Sequence, residues 1–215
     1  MPAPRFEIRE CTRPECAFRF PALESEPKAE HCPICKASTR QAEAPYENGK
    51  VPETIAPDGS PWVEALLDNI RSTFNVGAMF RTADGAGLRR LHLCGITPTP
   101  EHPKLVKTAL GAETQVPWES HPNGLQVAQA LKASGYELWA LEGGENAIPL
   151  TTAVRQLPPA PIVLVAGNEV AGVDPGILRI CDRVVSIPMQ GYKRSLNVAI
   201  AFGIAVYLLR FGHTD

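Results

Sequence analysis

From about residue 61 onward, short apolar runs alternate with segments whose apolar residues repeat at helical spacing. The runs predict strands, and Gly or Pro at the ends of the periodic segments marks the predicted helix boundaries. The predicted strands are WVEALLDNI (62–70), RLHLCG (90–95), YELWALE (136–142), PIVLVAG (161–167) and RVVSIPM (183–189). The predicted helices are 75–87, 102–113, 124–135 and 174–181. This alternation predicts an α/β fold with a mostly parallel sheet and helices on both faces.

The last apolar run, SLNVAIAFGIAVYLLR (195–210), predicts a helix that is apolar nearly all round, with 12 apolar residues of 16. A surface helix normally has one apolar stripe and one polar face. We therefore expect one face to pack on its own sheet and another on a second subunit, which makes a homodimer. The run is shorter than the roughly 18 apolar residues that a membrane span needs, and we expect no membrane segment.

Length and charge narrow the possible functions further. The 215 residues suit one medium domain, or one domain with a small module, and the net charge is -2. The net charge therefore does not favour nonspecific electrostatic binding of nucleic acid, so an RNA contact needs local basic clusters. The candidates are Arg89–Arg90, Lys104 with Lys107, and Lys193–Arg194. The start, MPAPRFEIRE, lacks the apolar stretch of a signal peptide, which makes the cytoplasm the expected compartment.

Four of the six cysteines lie in the first 35 residues, in two closely spaced pairs: Cys11 with Cys16, and Cys32 with Cys35. Thiolates at such spacings typically bind zinc in a tetrahedron, and disulfides are disfavoured in the cytosol. The pattern predicts a zinc-ribbon-like module over residues 1–40 that holds a structural zinc ion; the alternative is a degenerate ribbon or unrelated thiols. Residues 41–60 are rich in Pro, Gly and acids and predict a linker, which leaves 61–215 as the large domain.

Three of the predicted strands end in segments that combine glycine with polar side chains: LEGGEN, AGNEVAG and IPMQGYKRSLN. Ligands in parallel α/β sheets bind beyond the carboxyl ends of the strands, so these segments form the predicted site. They match no dinucleotide fingerprint and no phosphate loop. Ser195 is not in a G-x-S-x-G elbow either, which argues against a hydrolase nucleophile.

Three stretches together resemble motifs 1, 2 and 3 of the SpoU/TrmH family of SPOUT methyltransferases, in the right order. They are NVGAMFRTADGAG with Asn75 and Arg81, PIVLVAGNEVAGV with Glu169, and IPMQGYKRSLNVAIAFGIAVY with Ser195 and Asn197. The segment HPKLVKTALGAETQVPW (102–118) is also similar to one common in the family. The resemblance covers about residues 61–211, so the cysteine module lies outside it.

The resemblance implies a C-terminal trefoil knot, a dimer, and a cleft for S-adenosylmethionine. The implied reaction is methyl transfer to a ribose 2′-oxygen of tRNA or rRNA, without a catalytic metal and with no role for DNA. By alignment, backbone groups in motifs 2 and 3 and in the neighbouring strand end contact the methyl donor, with two apolar side chains, Ile187 and Leu196, on either side of adenine. The aligned donor-binding residues are Leu141, Gly167, Ile187, Met189 and Leu196.

The resemblance also suggests a role for each polar motif residue. Arg81 activates the hydroxyl, either by relaying its proton to an RNA phosphate or by holding phosphate and hydroxyl in place. Asn75 is expected to cap the helix that carries Arg81 and to shape the ribose site. The Glu169 carboxylate is expected to hold Arg81 or a ribose hydroxyl, and Asn197 suits a sugar edge. Ser195 is either a site residue or simply the N-cap of the last helix.

Two other functions remain compatible with the sequence. One is a non-catalytic RNA-binding protein that keeps the fold, although the intact motif residues argue against it. The other is methylation of an RNA base, although the Asn75–Arg81 spacing and the SLN segment favour ribose. The cysteine module is expected to dock RNA, and docking on a protein or ribosomal surface is the alternative.

Overall fold

The computed structural model describes residues 4–24, 26–47 and 61–212. The chain divides into two compact units, residues 1–56 and 57–215. The smaller unit contains an antiparallel sheet whose central strand, β1, pairs with the other three. Its strands are β1 (Arg5–Cys11), β2 (Arg19–Leu23), β3 (Thr39–Gln41) and β4 (Tyr46–Glu47), and a 3-10 turn covers Pro27–Glu30. β3 and β4 extend this sheet to residue 47, past the module end predicted at residue 40.

The larger unit contains a seven-stranded sheet in which every pairing is parallel. Its strands are β5 (Val63–Asp68), β6 (Leu91–Cys94), β7 (Trp118–His121), β8 (Glu137–Leu141), β9 (Ile148–Pro149), β10 (Ile162–Ala166) and β11 (Arg183–Ser186). Their order is β7-β6-β5-β10-β8-β11-β9. The two outermost strands were not predicted, because one is polar at its centre and the other has two residues.

The described part of the larger unit has six helices, of which five lie between strands in the chain and the sixth follows β11. They are α1 (Thr73–Ala86), α2 (Pro103–Ala109), α3 (Gly124–Ala133), α4 (Leu150–Ala153), α5 (Pro175–Ile180) and α6 (Val198–Phe211). Short 3-10 turns follow two of them, at Ala112–Thr114 and Val154–Gln156. Among the described residues, no helix is both long enough and apolar enough to cross a membrane.

Two helix starts differ from the sequence prediction. Ser72, not Asn75, caps α1, since the Ser72 hydroxyl accepts a bond from the Asn75 backbone N–H at 3.3 Å. The last helix begins at Val198, three residues later than predicted. Its N-cap is Asn197, whose Oδ1 accepts from the N–H groups of Ala199 and Ile200, so the interpretation of Ser195 as the cap is wrong.

The pleat of the sheet divides the apolar residues into two cores. On β5, Ala65 and Leu67 belong to a core that includes residues of α1, α2, α4 and α6, while Leu66 belongs to a second core beside α3 and α5. Successive side chains of a strand point to opposite faces, which explains why these strands are apolar throughout. Helices therefore cover both faces, and the carboxyl ends of the strands stay open to a ligand.

Candidate functional site

A cavity of about 410 Å³ opens where the carboxyl ends of β8, β10 and β11 meet the start of α6. A cavity of this size lies within the usual range for small-molecule sites. Its wall contains all five residues that the sequence assigned to the methyl donor, together with three of the predicted catalytic residues. The first group is Leu141, Gly167, Ile187, Met189 and Leu196, and the second is Glu169, Ser195 and Asn197.

The loop after β10 folds back tightly on itself at one side of this cavity. Asn168 and Gly172 exchange two backbone hydrogen bonds of 2.9 Å, which brings Gly167 against the returning chain. A Cβ atom on Gly167 would lie 2.3 Å from the carbonyl carbon of Gly172 and from the nitrogen of Val173. Only glycine fits there, so the bare backbone of residue 167 is a fixed part of the cavity wall.

Three side chains from the three motifs form one hydrogen-bonded chain at the edge of the cavity. The Asn75 amide donates to Glu169 Oε1 at 2.9 Å, and the Asn197 amide donates to Asn75 Oδ1 at 3.1 Å. Because a carboxylate only accepts, Asn75 must turn its amide nitrogen toward Glu169 and its oxygen toward Asn197. Asn197 must then present its own oxygen to the N-terminus of α6, where it serves as the cap. Each orientation thus fixes the next.

Glu169 anchors this chain of bonds. Its two oxygens accept from the backbone N–H of Arg71 at 2.9 Å and of Ser72 at 3.2 Å, as well as from Asn75. Partial burial raises the pKa of this carboxyl, but these hydrogen bonds outweigh burial and hold the pKa below its ordinary value. Glu169 is therefore a carboxylate that holds the start of α1. None of its hydrogen bonds goes to Arg81, although holding Arg81 was one of its two expected roles.

Arg81 lies away from this network. It is exposed on α1, outside the cavity wall, and makes no hydrogen bond or ion pair with any residue in the described part of the chain. Ser195 is also exposed but lies in the cavity wall. The structure thus brings Asn75, Glu169 and Asn197 together with the cavity, and it leaves the Arg81 guanidinium available for an external anion.

Two residues that shape the cavity were not singled out from the sequence. Glu142, after β8, accepts from the backbone N–H of Val173 at 3.1 Å, which ties the β8 end to the loop after β10. Asn168 donates to the carbonyl oxygen of Asn69 at 2.7 Å and ties the same loop to the end of β5. Glu142 lies in the LEGGEN segment and Asn168 in the AGNEVAG segment. Their position at the ends of strands was the sequence signal that could have identified them as site residues.

In the smaller unit, the four sulfur atoms of the predicted zinc ligands cluster within 4.8 Å of one another. The Sγ atoms of Cys11 and Cys35 are 3.4 Å apart, and those of Cys16 and Cys32 are 3.8 Å apart. Four thiolates at the usual Zn–S distance in a tetrahedron have sulfurs about 3.8 Å apart. The observed spacing therefore fits a zinc ion at the centre of the cluster.

The thiols of this cluster differ in how easily they ionise. Burial raises the pKa of Cys32, but bonds from the backbone N–H groups of Cys35 and Ile34 overcome it and bring the pKa down to about 7. A backbone hydrogen bond from Phe18 lowers the pKa of Cys16, while burial and the neighbouring thiols raise it to about 12. Four thiolates so close together repel one another unless a cation lies among them.

Comparisons with known proteins agree with this geometry. The model of the SpoU rRNA Methylase family matches residues 63–207. The 23S rRNA (guanosine(2553)-2'-O)-methyltransferase RlmP of Bacillus subtilis is 34% identical over 148 residues, which are 67% of this chain and 56% of that protein. The tRNA (guanosine(18)-2'-O)-methyltransferase of Thermus thermophilus is 29% identical over 68% of this chain and 73% of its own length.

Solved structures show the same similarity. The AdoMet-bound rRNA methyltransferase from Sinorhizobium meliloti superposes with a TM-score of 0.66 at 27% identity, over 80% of this chain and 64% of that one. The chain spans little more than half the length of the Bacillus subtilis relative, 56% of it. The family match nevertheless covers well over half of the present chain. With its parallel sheet and the three motifs in place, the chain belongs to the SpoU rRNA methylase family.

Proposed function

We propose that this protein transfers a methyl group from S-adenosylmethionine to the 2′-hydroxyl of a ribose in tRNA or rRNA. One observation supports this most directly: side chains from motifs 1, 2 and 3 form a single hydrogen-bonded chain beside the cavity that the donor-binding residues line. Relatives named 2'-O-methyltransferases of 23S rRNA and of tRNA match 67% and 68% of the chain. The C-terminal trefoil knot implied by the family is part of this proposal.

The cavity suits the methyl donor in its size and chemistry. Apolar side chains of Ile187 and Leu196 in its wall fit the faces of an adenine ring, and the Gly167 backbone offers polar groups at close range. When bound, the donor supplies a sulfonium methyl group, which is a strong electrophile. The ribose 2′-oxygen then forms a bond to the methyl carbon while the sulfur–carbon bond breaks, and the hydroxyl proton must leave the oxygen.

The polar residues of the site handle the hydroxyl and the RNA. Glu169 has a lowered pKa and is already occupied by three donors, so it positions Asn75 and does not accept the hydroxyl proton. Arg81 is a cation available to bind an RNA phosphate, and its positive charge would also stabilise the negative charge that develops on the 2′-oxygen. The proton can pass to the phosphate that Arg81 holds. Asn197 and Ser195 lie where the ribose enters.

We further propose that the protein is a homodimer that pairs through α6. One face of α6 is buried against the sheet, whereas Ile200, Ile204 and Tyr207 remain 57%, 37% and 48% exposed. These three residues follow one another at spacings of four and three and therefore form one apolar stripe. A second copy of the same stripe is its natural partner. Thr82 of α1 lies beside Gly203 of α6, so pairing through α6 would bring the helix that carries Arg81 to the border of the second subunit.

The cysteine cluster completes the proposal. Cys11, Cys16, Cys32 and Cys35 would hold a structural zinc ion that takes no part in the reaction. The module would help to select the RNA in the cytoplasm, where tRNA and rRNA are modified. Its charged residues are largely engaged with each other, as in the pairs Arg40–Glu10 and Arg19–Glu43, so docking depends on shape more than on net charge.

The proposal is tested by incubating the full chain with S-adenosylmethionine labelled at the methyl group and RNA from a deletion strain. The RNA is digested to nucleosides, and the labelled nucleoside is identified. We expect label on the ribose of one nucleotide in either tRNA or rRNA, and none when DNA replaces RNA. Label on a base would show the alternative chemistry. RNA binding without any label, with the donor bound in calorimetry, would show a non-catalytic RNA-binding protein.

A further inference from the structure

A second group of polar side chains lies at the β6–β7 edge of the large sheet. On β6, Leu91 and Leu93 join the core that contains α1 and α6. His92 lies between them and therefore points to the opposite face, beside α3. Its neighbour on β7 is Glu119, and the next position on that face of β7 is His121. The pleat thus places two histidines and a carboxylate on one face of adjacent strands.

These three side chains converge on one point. A nitrogen of each histidine and a carboxylate oxygen of Glu119 all lie within 4.8 Å of one another. Arg90 binds the Oε1 atom of Glu119, and the Oε2 atom lies 3.5 Å from Nε2 of His121. The group lines a cavity of about 600 Å³ that is also bounded by Gln126. A ligand could reach the group through this cavity.

Two buried nitrogens of the group have no hydrogen-bond partner in the described part of the chain. They are Nδ1 of His92 and Nε2 of His121, and the residue His92 is only 4% exposed. Buried polar atoms are almost always satisfied, so two unpartnered nitrogens within this one group require an explanation. An ion bound between the two nitrogens would explain both of them at once.

The other side of His92 fixes which nitrogen is free. Glu64 lies 2.8 Å from His92 Nε2 and accepts a bond of 2.8 Å from the Tyr136 hydroxyl. A carboxylate here requires the proton on Nε2 of His92, which leaves a lone pair on Nδ1. Metal-binding histidines are commonly oriented by a carboxylate in this way.

We propose that His92 Nδ1, His121 Nε2 and a carboxylate oxygen of Glu119 bind a divalent transition-metal ion, for which zinc is the probe. Two imidazoles and one carboxylate are a recognised ligand set for zinc, with a fourth position left for water or a ligand from the cavity. Glu64 is a positioning residue that acts through His92. The site lies beside α3 and is separate from the cysteine cluster and from the methyl-donor cavity.

The test counts metal ions on the full chain. Protein is loaded with zinc, freed of excess metal by gel filtration, and analysed for zinc per chain. We expect His121→Ala and Glu119→Gln each to hold one zinc fewer than the unmodified chain, whatever the cysteine cluster contributes. Gln126→Ala, which changes the same cavity but removes no ligand, is the matched control and should keep the full number. Equal zinc in the unmodified chain and in both ligand variants would overturn the proposal.

Three further measurements separate loss of a ligand from misfolding and from binding at the cysteine cluster. Without metal, the larger unit of Glu119→Gln should unfold at the same temperature as that of the unmodified chain, because Glu119 is exposed. Added zinc should then raise the unfolding temperature of the larger unit only in the unmodified chain and in Gln126→Ala. Glu64→Gln should weaken zinc binding by about ten- to a hundredfold, as loss of an orienting carboxylate does. Cobalt in place of zinc separates the two sites, since a site with nitrogen and oxygen ligands adds no sulfur-to-metal charge-transfer band. A second cobalt that adds such a band would contradict this ligand set.

Discussion

The two units of this protein differ in what can hold them together. In the described part of the smaller unit, the buried apolar residues are Cys11, Cys32 and two alanines, Ala22 and Ala29. The larger unit buries whole aromatic and aliphatic side chains, such as Trp139, on both faces of its sheet. Units as small as the first rarely bury enough apolar surface to fold alone and usually need a metal or a disulfide. The comparison shows that the larger unit has a core to stabilise it, whereas the smaller unit would depend on the proposed zinc ion.

Replacing Cys32 by Ser makes this comparison experimental. The variant should lose the zinc ion of the cysteine cluster and unfold the smaller unit, because structural zinc supplies about 10–16 kcal/mol to domains of this kind. The larger unit should still unfold cooperatively at its own temperature. Elemental analysis and calorimetric unfolding measure the two effects. Cys181→Ser is the control, since Cys181 lies in the larger unit outside the cluster and should change neither. A single transition that shifts for the whole chain would contradict the independence of the two units.

A pair of substitutions on α6 separates its core face from its exposed stripe. Val206 is fully buried, so Val206→Asp should lower the free energy of unfolding by about 4 kcal/mol or more, because an unpaired charge enters the core. Ile204 is partly exposed, so Ile204→Asp should leave the fold intact and weaken the dimer. Denaturant titration and light scattering distinguish these results. A stable monomer of the unmodified chain at micromolar concentration would rule out the proposed dimer.

Arg81→Ala tests whether chemistry and donor binding lie on different elements. Because Arg81 is outside the cavity, the affinity for S-adenosylmethionine should stay nearly unchanged. Methyl transfer should fall by about a hundredfold or more, the usual effect of losing an electrostatic or acid–base group. Arg81→Lys should restore little, since an ammonium is a point charge and cannot bridge phosphate and hydroxyl in one plane. Calorimetry and single-turnover methyl transfer give both values, and a normal rate in Arg81→Ala would refute the assignment.

The sequence predicted well which residues line the cavity, and it predicted poorly how the motifs connect to one another. The glycines and apolar residues of motifs 2 and 3 end buried strands, so their place in the cavity follows from chain order and the sheet rule. The bond between Asn75 and Glu169 joins residues 94 positions apart, and no local pattern encodes it. From its local sequence alone, Asn75 is expected to cap α1, whereas the structure gives that role to Ser72.

The sequence analysis singled out neither histidine of the proposed metal site, for a related reason. The segment that holds Glu119 and His121 is polar, and the strand it forms lies at the edge of the sheet, where burial does not require an apolar run. Without β7, His92 is only a single polar residue within the apolar run of β6. Its partners become visible only once the register pairs it with Glu119.

Asn197 should show the smallest effect, because its two roles can be separated. Asn197→Ala removes the cap of α6 and should lower the free energy of unfolding by about 1 kcal/mol. It also removes the donor to Asn75, and methyl transfer should fall about tenfold, the effect of roughly 1.4 kcal/mol on a barrier. Asn197→Asp keeps the oxygen that accepts from Ala199 and Ile200 but cannot donate to Asn75. It should therefore keep the stability and still lose the rate. Denaturant titration beside single-turnover kinetics makes the comparison, and an Asp variant with the normal rate would show that the bond to Asn75 does not position the site.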